Sequence, residues 1–191
     1  MNDGPNSTLA DLDDWLRDEY VPYAVIGGIA TTVRGEPRFT ADVDVVVGID
    51  LDRALRLIDS IERSPFRPLF TDVAEVVQRA FILPLRHVAT GIRVDMAIGL
   101  TGFERQLIAR ATEAQLGGRS VPVATAEDLI LLKVLAGRPR DIEDVSRIVL
   151  RQGSSLNWSY LMETGEQLQQ AVAVDLVPQL RRLQQDRESG I

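Results

Sequence analysis

Paired aspartates are the residues whose type and spacing point most directly to chemistry in this chain. Asp42 and Asp44 alternate with valines in the stretch Asp-Val-Asp-Val-Val-Val, a pattern that predicts a β-strand. Side chains two residues apart on a strand point to the same face, so the two carboxylates would lie side by side and repel each other. A divalent cation would remove that repulsion, although a solvated strand edge explains such a pair equally simply. Arg34 and Arg38 precede the strand and could bind phosphate or neutralise the aspartates.

A third aspartate lies in another predicted strand. Asp95 stands within the run from Ile92 to Ile98, and the run from Phe81 to Val88 predicts its partner in a hairpin with Gly91 in the turn. If this strand lies beside the first one, Asp95 completes a cluster of three carboxylates. Such a cluster can hold two metal ions, and Asp95 would then be a metal ligand or the general base.

The composition restricts any metal site to oxygen ligands. The chain has no cysteine and one histidine, His87, which excludes disulfides, thiolate sites, a cysteine nucleophile and multi-histidine zinc sites. Mg²⁺ or Mn²⁺ suits the carboxylates that are left. His87 itself lies in a strand of alternating pattern, where a structural role is the more common one.

A glycine pair between a predicted strand and a predicted helix could face a phosphate. Tyr23–Ile26 predicts the strand, Gly27 and Gly28 follow at once, and the helix begins with the segment from Ile29 to Val33. Backbone N–H groups can approach a phosphate there, and the helix N-terminus favours the anion. Such turns are often purely structural. The order of glycine pair, loop and paired aspartates favours the functional interpretation.

The remaining pattern predicts an α+β fold in two parts. Residues 1–124 are predicted to form a core with a mixed β-sheet flanked by helices, and residues 125–191 a helical region packed on that core. The predicted helices are Thr8–Asp18, Asp50–Arg63, Val73–Arg79, Gly102–Ala111, Thr125–Leu135, Asp141–Arg151, Trp158–Gln170 and Asp175–Arg187; a hairpin is predicted for Glu113–Val123, a loose segment for residues 1–7 and an irregular one for 65–72.

The charge balance limits the partners that the chain can take. Its 191 residues carry a formal net charge of −7, and its sequence pI is about 4.8. This disfavours non-specific binding to nucleic acid or to anionic membranes, but it allows a local basic path. No apolar run approaches the roughly 18 residues of a membrane span, and the first residues lack the basic and apolar regions of a signal peptide. We therefore expect a cytoplasmic protein with no membrane partner.

These motifs resemble the signature of the minimal nucleotidyltransferase superfamily. The segments Val25–Ala30 and Arg38–Asp44 are similar to its pattern of strand, Gly-Gly, loop and Arg-x-Thr-x-Asp-x-Asp, and Thr90–Asp95 is similar to the strand that carries its third acid. Ala126–Lys133 and Ala136–Asp144 look like the downstream motif of its abortive-infection and type IV toxin–antitoxin branch.

The resemblance, which extends from Tyr23 to Arg151, implies Mg²⁺- or Mn²⁺-dependent transfer of a nucleotidyl group from an NTP such as ATP to a hydroxyl acceptor. In toxin members the acceptor can be a tRNA end; a protein hydroxyl and a small molecule stay open here. The resemblance also implies a cognate antitoxin or toxin as a possible partner. Many members have serine at the position of Gly28, so backbone amides are left to bind the phosphate. The resemblance implies Asp42, Asp44 and Asp95 as catalytic metal ligands, Lys133 as a catalytic and nucleotide-binding residue, and Gly27, Gly28, Arg38, Thr40, Asp141 and Asp144 as nucleotide-binding residues.

Lys133 is the single charged residue of an apolar stretch that runs from Leu129 to Leu135. It either extends to the surface or points into a polar cleft, where it would steady the triphosphate. Asp141 and Asp144 begin the next predicted helix, where they could cap it or pair with Lys133 or Arg138 and orient that side chain toward the cleft.

Two other functions fit the same residues. A non-catalytic module that binds or regulates a partner is favoured by the missing turn serine, whereas the three acids count against it. A metal-dependent phosphohydrolase would use the same acids with water as the acceptor.

Overall fold

The computed structural model describes residues 4–37, 39–172 and 174–189, which form nine α-helices and seven β-strands. Contacts between Cα atoms divide these residues into two units. Residues 4–29 and 39–124 form the first unit, and residues 30–37 form the second together with the described residues from 125 onward. No pattern in the sequence indicates that the segment after residue 29 groups with the C-terminal part.

One mixed sheet forms the centre of the first unit. Its strands lie in the order β3-β4-β5-β2-β1-β7-β6. β2 pairs with β5, and β1 with β7, in parallel, while the other neighbours are antiparallel. The predicted α+β class with a mixed sheet is therefore confirmed. The strands are β1 (Tyr23–Ile26), β2 (Asp42–Val47), β3 (Phe66–Pro68), β4 (Ile82–His87), β5 (Arg93–Ile98), β6 (Thr112–Leu116) and β7 (Arg119–Val123).

Alternation along β2 gives the sheet an apolar face and a polar face. Val43, Val45 and Val47 are fully buried, whereas Asp42 and Asp44 lie on the opposite face. Burying each valine contributes about 1.5–3 kcal/mol, and a slip of one residue would exchange valines for aspartates. The register that orients the aspartates is thus fixed by the apolar face. On β5 the buried residues are Val94, Met96 and Ile98.

The helices of the first unit cover its apolar core. In α1, Leu9, Leu12 and Leu16 recur at helical spacing and are buried. At the start of α5 the side chain of Thr101 accepts from the backbone N–H of Glu104, while the Glu104 carboxylate accepts from that of Thr101. The helices preceding residue 125 are α1 (Gly4–Asp18), α2 (Gly27–Arg34), α3 (Leu51–Ser60), α4 (Val73–Ala80) and α5 (Gly102–Arg110).

The second unit is helical. Thr125 caps its first helix by accepting from the backbone N–H of Asp128, and Leu129, Ile130 and Leu131 are buried along that helix. Among the residues described, no helix has the length and apolar character that a membrane crossing requires. The helices from residue 125 onward are α6 (Ala126–Ala136), α7 (Pro139–Gln152), α8 (Trp158–Val172) and α9 (Val177–Glu188).

The N-terminal helix begins earlier than the sequence predicts. The sequence predicts a loose segment up to residue 7, yet α1 starts at Gly4. Its first turn is closely packed: a Cβ added at Gly4 would lie 2.9 Å from Ile92 Cδ1, and one added at Gly117 would lie 2.7 Å from Asn6 Cβ. Tertiary packing therefore orders a polar segment that has little helix signal of its own.

The segment 65–72, predicted to be irregular, contains the strand β3. This strand adds Arg67 to the polar face of the sheet. Phe66 is fully buried and pairs with His87, while Arg67 pairs with Arg86. Three residues are too few to show alternation, so the strand is visible only through its pairing. Before it, α3 ends at Ser60 and a 3₁₀ turn, Ile61–Arg63, replaces the predicted last helical turn.

Candidate functional site

β2 and β5 bring the three aspartates to one face of the sheet. Asp44 lies directly opposite Asp95 in the parallel ladder, and Asp42 lies opposite Arg93. The prediction that the strand of Asp95 adjoins that of the paired aspartates is therefore confirmed. Neighbouring strands are about 4.8 Å apart, so the backbones that carry the three aspartates are close neighbours. Asp42 is exposed and the other two are partly exposed, which leaves them accessible from solvent.

Gly27 provides the space for the Asp44 carboxylate. On the other side of β2, Ile26 pairs with Asp44, and the chain then turns into α2 through Gly27, whose φ is +63°. A Cβ at Gly27 would lie 2.0 Å from Asp44 Oδ2, far inside any real contact. The glycine turn and the aspartates are thus brought together at the start of α2, as their order in the sequence suggests.

Arg93 is the counter-ion of the aspartates. Its Nε donates to Asp95 Oδ1 at 2.8 Å, and half of its side chain is exposed. This hydrogen bond, followed by the charges of Asp95, Asp42 and Asp44, holds the pKa of the Arg93 guanidinium above its ordinary value, against the opposing effect of desolvation. One guanidinium therefore interacts with all three carboxylates. Arg93 and Asp95 are two residues apart, so the sequence predicts that they share a face of the strand, but it indicates no role for Arg93.

The donor set fits a hard divalent cation, but the side chains do not close around one. Carboxylate oxygens are the ligands that Mg²⁺ and Mn²⁺ prefer, and the bare turn at Gly27 leaves one carboxylate room. Within the described ranges, however, no three acidic or imidazole side chains are arranged as a metal-binding group. The ion pair with Arg93 engages Asp95, so shared coordination would require Asp95 to leave that pair.

Lys133, predicted to contact the triphosphate, is paired with two acids of its own unit. Its Nζ lies 2.7 Å from Asp144 Oδ2 and 3.3 Å from Asp141 Oδ1, and all three side chains are at most 8% exposed. Arg138 Nε also donates to Asp141 Oδ2 at 2.5 Å. The structure thus has the pairing of Asp141 and Asp144 with Lys133 and Arg138, one of the two expected arrangements. A phosphate contact of Lys133 stays a prediction.

The other predicted nucleotide-binding residues lie in the loop and at the glycine turn. Thr40 Oγ1 donates to the carbonyl oxygen of Asp42 at 3.3 Å, so it bonds the backbone of the acidic strand. Gly28 is buried in the first turn of α2. Arg38 lies outside the described residues. Arg34 belongs to the second unit, where burial lowers its pKa and the charge of Glu127 partly offsets that effect.

His87 links α1 to the β4–β5 hairpin. The ring is fully buried; Nδ1 lies 2.8 Å from Thr90 Oγ1 and 3.1 Å from Thr8 Oγ1, and Nε2 lies 2.8 Å from Asp11 Oδ2. Its ring nitrogens are thus engaged with protein groups, an arrangement that fits a structural role.

Several solved structures share this fold. A nucleotidyltransferase-like antigenic protein from Paracoccidioides brasiliensis is 19% identical with a TM-score of 0.56, and the match covers 94% of this chain and 93% of that one. ANT(2″)-Ia in complex with adenylyl-2″-tobramycin is 16% identical with a TM-score of 0.55 and coverages of 82% and 91%. The lincomycin-bound lincosamide antibiotic adenylyltransferase LnuA is 16% identical with a TM-score of 0.50 and coverages of 73% and 93%.

Sequence comparison gives the family. No curated protein matches the sequence. The model of the family described as "Nucleotidyltransferase of unknown function (DUF6036)" matches residues 8–175, and this range includes the glycine turn, all three aspartates and the Lys133 group. Because that match covers most of the length of the chain, the chain belongs to this nucleotidyltransferase family.

Proposed function

We propose that this protein transfers a nucleotidyl group from an NTP to a hydroxyl acceptor, with Mg²⁺ or Mn²⁺ held by Asp42, Asp44 and Asp95. The observation that supports this most strongly is the register of β2 and β5, which sets Asp44 opposite Asp95 on an open sheet face. The glycine turn beside Asp44 adds a place for phosphate at the start of α2.

Each part of the site has a role in this proposal. Asp42 and Asp44 hold the metal-bound triphosphate, and backbone N–H groups at Gly27 and Gly28 face its phosphates. Asp95 accepts the proton of the attacking hydroxyl after the Asp95 carboxylate has separated from Arg93. The metal supplies, when bound, neutralisation of the phosphate charge and activation of the acceptor oxygen. Positioning and charge neutralisation are what phosphoryl-type transfer chiefly requires, and these residues provide both.

The proposal also names the acceptor of the nucleotidyl group and the biological setting of the reaction. The resemblance of the 126–144 segment to the toxin–antitoxin branch favours a tRNA end as acceptor and a cognate antitoxin as partner. The ANT(2″)-Ia structure holds adenylyl-2″-tobramycin and the LnuA structure holds lincomycin, which makes a small-molecule hydroxyl the alternative. ATP is the first nucleotide to test, since LnuA is an adenylyltransferase.

The test is transfer of labelled nucleotide. Purified protein, Mg²⁺ and each labelled NTP in turn are incubated with cellular RNA, with cellular protein and with aminoglycosides. We expect label on one acceptor class, its loss with EDTA, and a drop of at least about 100-fold in Asp44→Asn and in Asp95→Asn. Asp59→Asn, which removes an exposed acid of α3, is the matched control and should keep full activity.

The ion pair of Asp95 with Arg93 is the observation that favours a non-catalytic module instead. Calorimetric titration of Mg²⁺ with ATP, CTP, GTP and UTP separates the two functions, because a module of this kind would bind none of them. Release of free nucleotide without labelling of any acceptor would indicate a phosphohydrolase.

A further inference from the structure

A row of three arginines crosses the polar face of the sheet and ends at the aspartates. Arg93 on β5 lies opposite Arg86 on β4, which in turn lies opposite Arg67 on β3. On its other side, Arg93 lies opposite Asp42 on β2. Directly opposed residues point to the same face, so Arg67, Arg86 and Arg93, all exposed, form a line that we name the arginine row.

The charge of this row is only partly balanced. Arg93 is paired with Asp95, but within the described parts of the chain neither Arg67 nor Arg86 pairs with a carboxylate. Like charges directly opposed on a sheet are destabilising, and here they occur in a chain whose net charge is −7. A bound anion would remove this repulsion.

The guanidinium groups of the row are held by the backbone. Arg86 Nη1 donates to the carbonyl oxygen of Gly91 at 2.8 Å, and Arg67 Nη1 donates to that of Phe66 at 2.6 Å and that of Ser64 at 3.1 Å. These bonds use one nitrogen of each guanidinium, which carries five N–H donors in all. Donors for a phosphate are therefore available on side chains whose position is already fixed.

Strand order indicates which reactant would bind the row. The glycine turn follows β1, the aspartates lie on β2 and β5, and the row continues to β3, so the aspartates separate the turn from the row. In an in-line transfer the acceptor and the leaving pyrophosphate lie on opposite sides of the reacting phosphorus. If the triphosphate lies at Gly27 and Gly28, the acceptor approaches from the arginine row.

We propose that the arginine row binds the phosphodiester backbone of a single-stranded nucleic acid whose terminal hydroxyl is the acceptor, an inference that rests on the proposed nucleotidyl transfer. Two strand spacings make the row about 10 Å long, which matches the axial rise of about three nucleotides. Arginine suits phosphate because its planar donors bind two oxygens at once. Binding through the backbone is independent of base sequence.

The test compares the double variant Arg67→Gln/Arg86→Gln with wild type in binding a short fluorescent single-stranded RNA over a range of salt concentrations. We expect affinity to fall roughly fivefold for each arginine removed, and the slope of log K against log salt to decrease by about 0.7 for each. Arg56→Gln/Arg79→Gln removes two exposed arginines from α3 and α4 and should bind RNA as wild type does. Thermal unfolding of all variants checks that they are folded.

Four outcomes would overturn the proposal. Wild type that binds no RNA, or a double variant with unchanged affinity and salt slope, shows that the row is not a backbone site. A double variant that loses Mg–ATP binding instead assigns the row to the triphosphate. Equal competition by an acidic peptide of the same charge shows that general anion binding, not phosphodiester recognition, is at work.

A variant of the metal site separates this inference from the proposed function. Asp44→Asn should lose Mg–NTP binding while it keeps the RNA affinity and salt slope of wild type. If wild type itself fails to bind Mg–NTP, the proposed function fails, and the RNA titrations still show whether the row binds a phosphodiester chain.

Discussion

At the residue scale, Gly27 meets two demands that only glycine meets together. Its φ is +63°, a conformation that costs other residues about 1–2 kcal/mol, and the Asp44 carboxylate occupies the space of a Cβ. Gly27→Ala should therefore lower the free energy of unfolding by more than the backbone cost alone, and should abolish Mn²⁺ binding because Asp44 is displaced. Urea unfolding and Mn²⁺ titration followed by electron paramagnetic resonance measure the two effects.

Gly91 offers a matched control for that variant. Its φ is +73°, and nothing lies within 4 Å of an added Cβ. Gly91→Ala should therefore show the backbone cost without the clash and without loss of Mn²⁺ affinity. If both variants bind Mn²⁺ like wild type, Gly27 does not position the Asp44 carboxylate for the metal.

Arg93 gives a second prediction at the same scale. A metal ion must displace its guanidinium from Asp95, and removing a competing cation should strengthen metal binding. Arg93→Gln should raise the Mn²⁺ affinity of the nucleotide-free protein by up to about fivefold, the range expected for an exposed ion pair. The same Mn²⁺ titration measures it. Arg86→Gln removes the neighbouring arginine, which makes no ion pair with the aspartates, and should change the affinity less. An unchanged or lower affinity in Arg93→Gln would show that the guanidinium does not compete.

Some of these residue-scale features could be read from the sequence and others could not. The shared face of Asp42 and Asp44 follows from their i and i+2 spacing in a valine strand. The arginine row depends on which residues of β3, β4 and β5 lie opposite each other, and that register is set by tertiary pairing. Lys133 stood out as the single charge of an apolar stretch, but the sequence left open whether it meets phosphate or Asp144.

At the element scale, the buried group of Lys133, Asp141 and Asp144 joins α6 to α7. Removing one partner of a buried ion pair leaves an uncompensated charge, which costs about 3–5 kcal/mol. Lys133→Met removes the cation that two buried carboxylates share and should destabilise the second unit by about that amount in urea unfolding. Arg138, whose side chain is 75% exposed, is the control: Arg138→Gln should cost less than about 1 kcal/mol.

Equal stability of Lys133→Met and wild type would contradict this structural role for the lysine. A Lys133→Met protein that is stable but has a raised KM for NTP would support the predicted phosphate contact.

Sequence periodicity located most elements to within a few residues because their apolar positions are periodic. It failed where order comes from packing against other segments. α1 extends to Gly4 through contacts with Ile92, and β3 exists through its pairing with β4. Both cases involve short or polar segments whose intrinsic preference for helix or strand is weak.

At the scale of the whole molecule, the negative charge is unevenly distributed. The helix α1 carries Asp11, Asp13 and Asp14. Arg17 of the same helix pairs with Asp13, and Arg119 of β7 pairs with Asp14. On the polar face the row of three arginines lies beside the three aspartates. A chain that is acidic overall can therefore keep one basic path, which is the condition under which it would bind a short nucleic-acid end and ignore bulk polyanions.

We expect the ionisation of one buried phenol, that of Tyr23, to lower the stability of the molecule at alkaline pH. Tyr23 is buried, and its Oη donates to Asp13 Oδ1 at 2.7 Å. Burial first, and then the bond to Asp13, raises the pKa of Tyr23 above its ordinary value of 10.0. Because the pKa is raised in the folded state, the protonated Tyr23 phenol contributes its full stabilisation of the fold below about pH 10. That contribution is lost as the pH rises beyond this value.

Tyr23→Phe tests this dependence. At neutral pH the variant should lose about 1 kcal/mol with its hydrogen bond, while Arg17 still pairs with Asp13. Above about pH 10, wild type should lose stability in urea unfolding, whereas the variant should lose less because it has no phenol to ionise at this site. Tyr20→Phe, at a position that is 91% exposed, should follow wild type throughout. If the free energies of unfolding of wild type and Tyr23→Phe fall in parallel as the pH rises, a group other than Tyr23 causes the alkaline loss of stability.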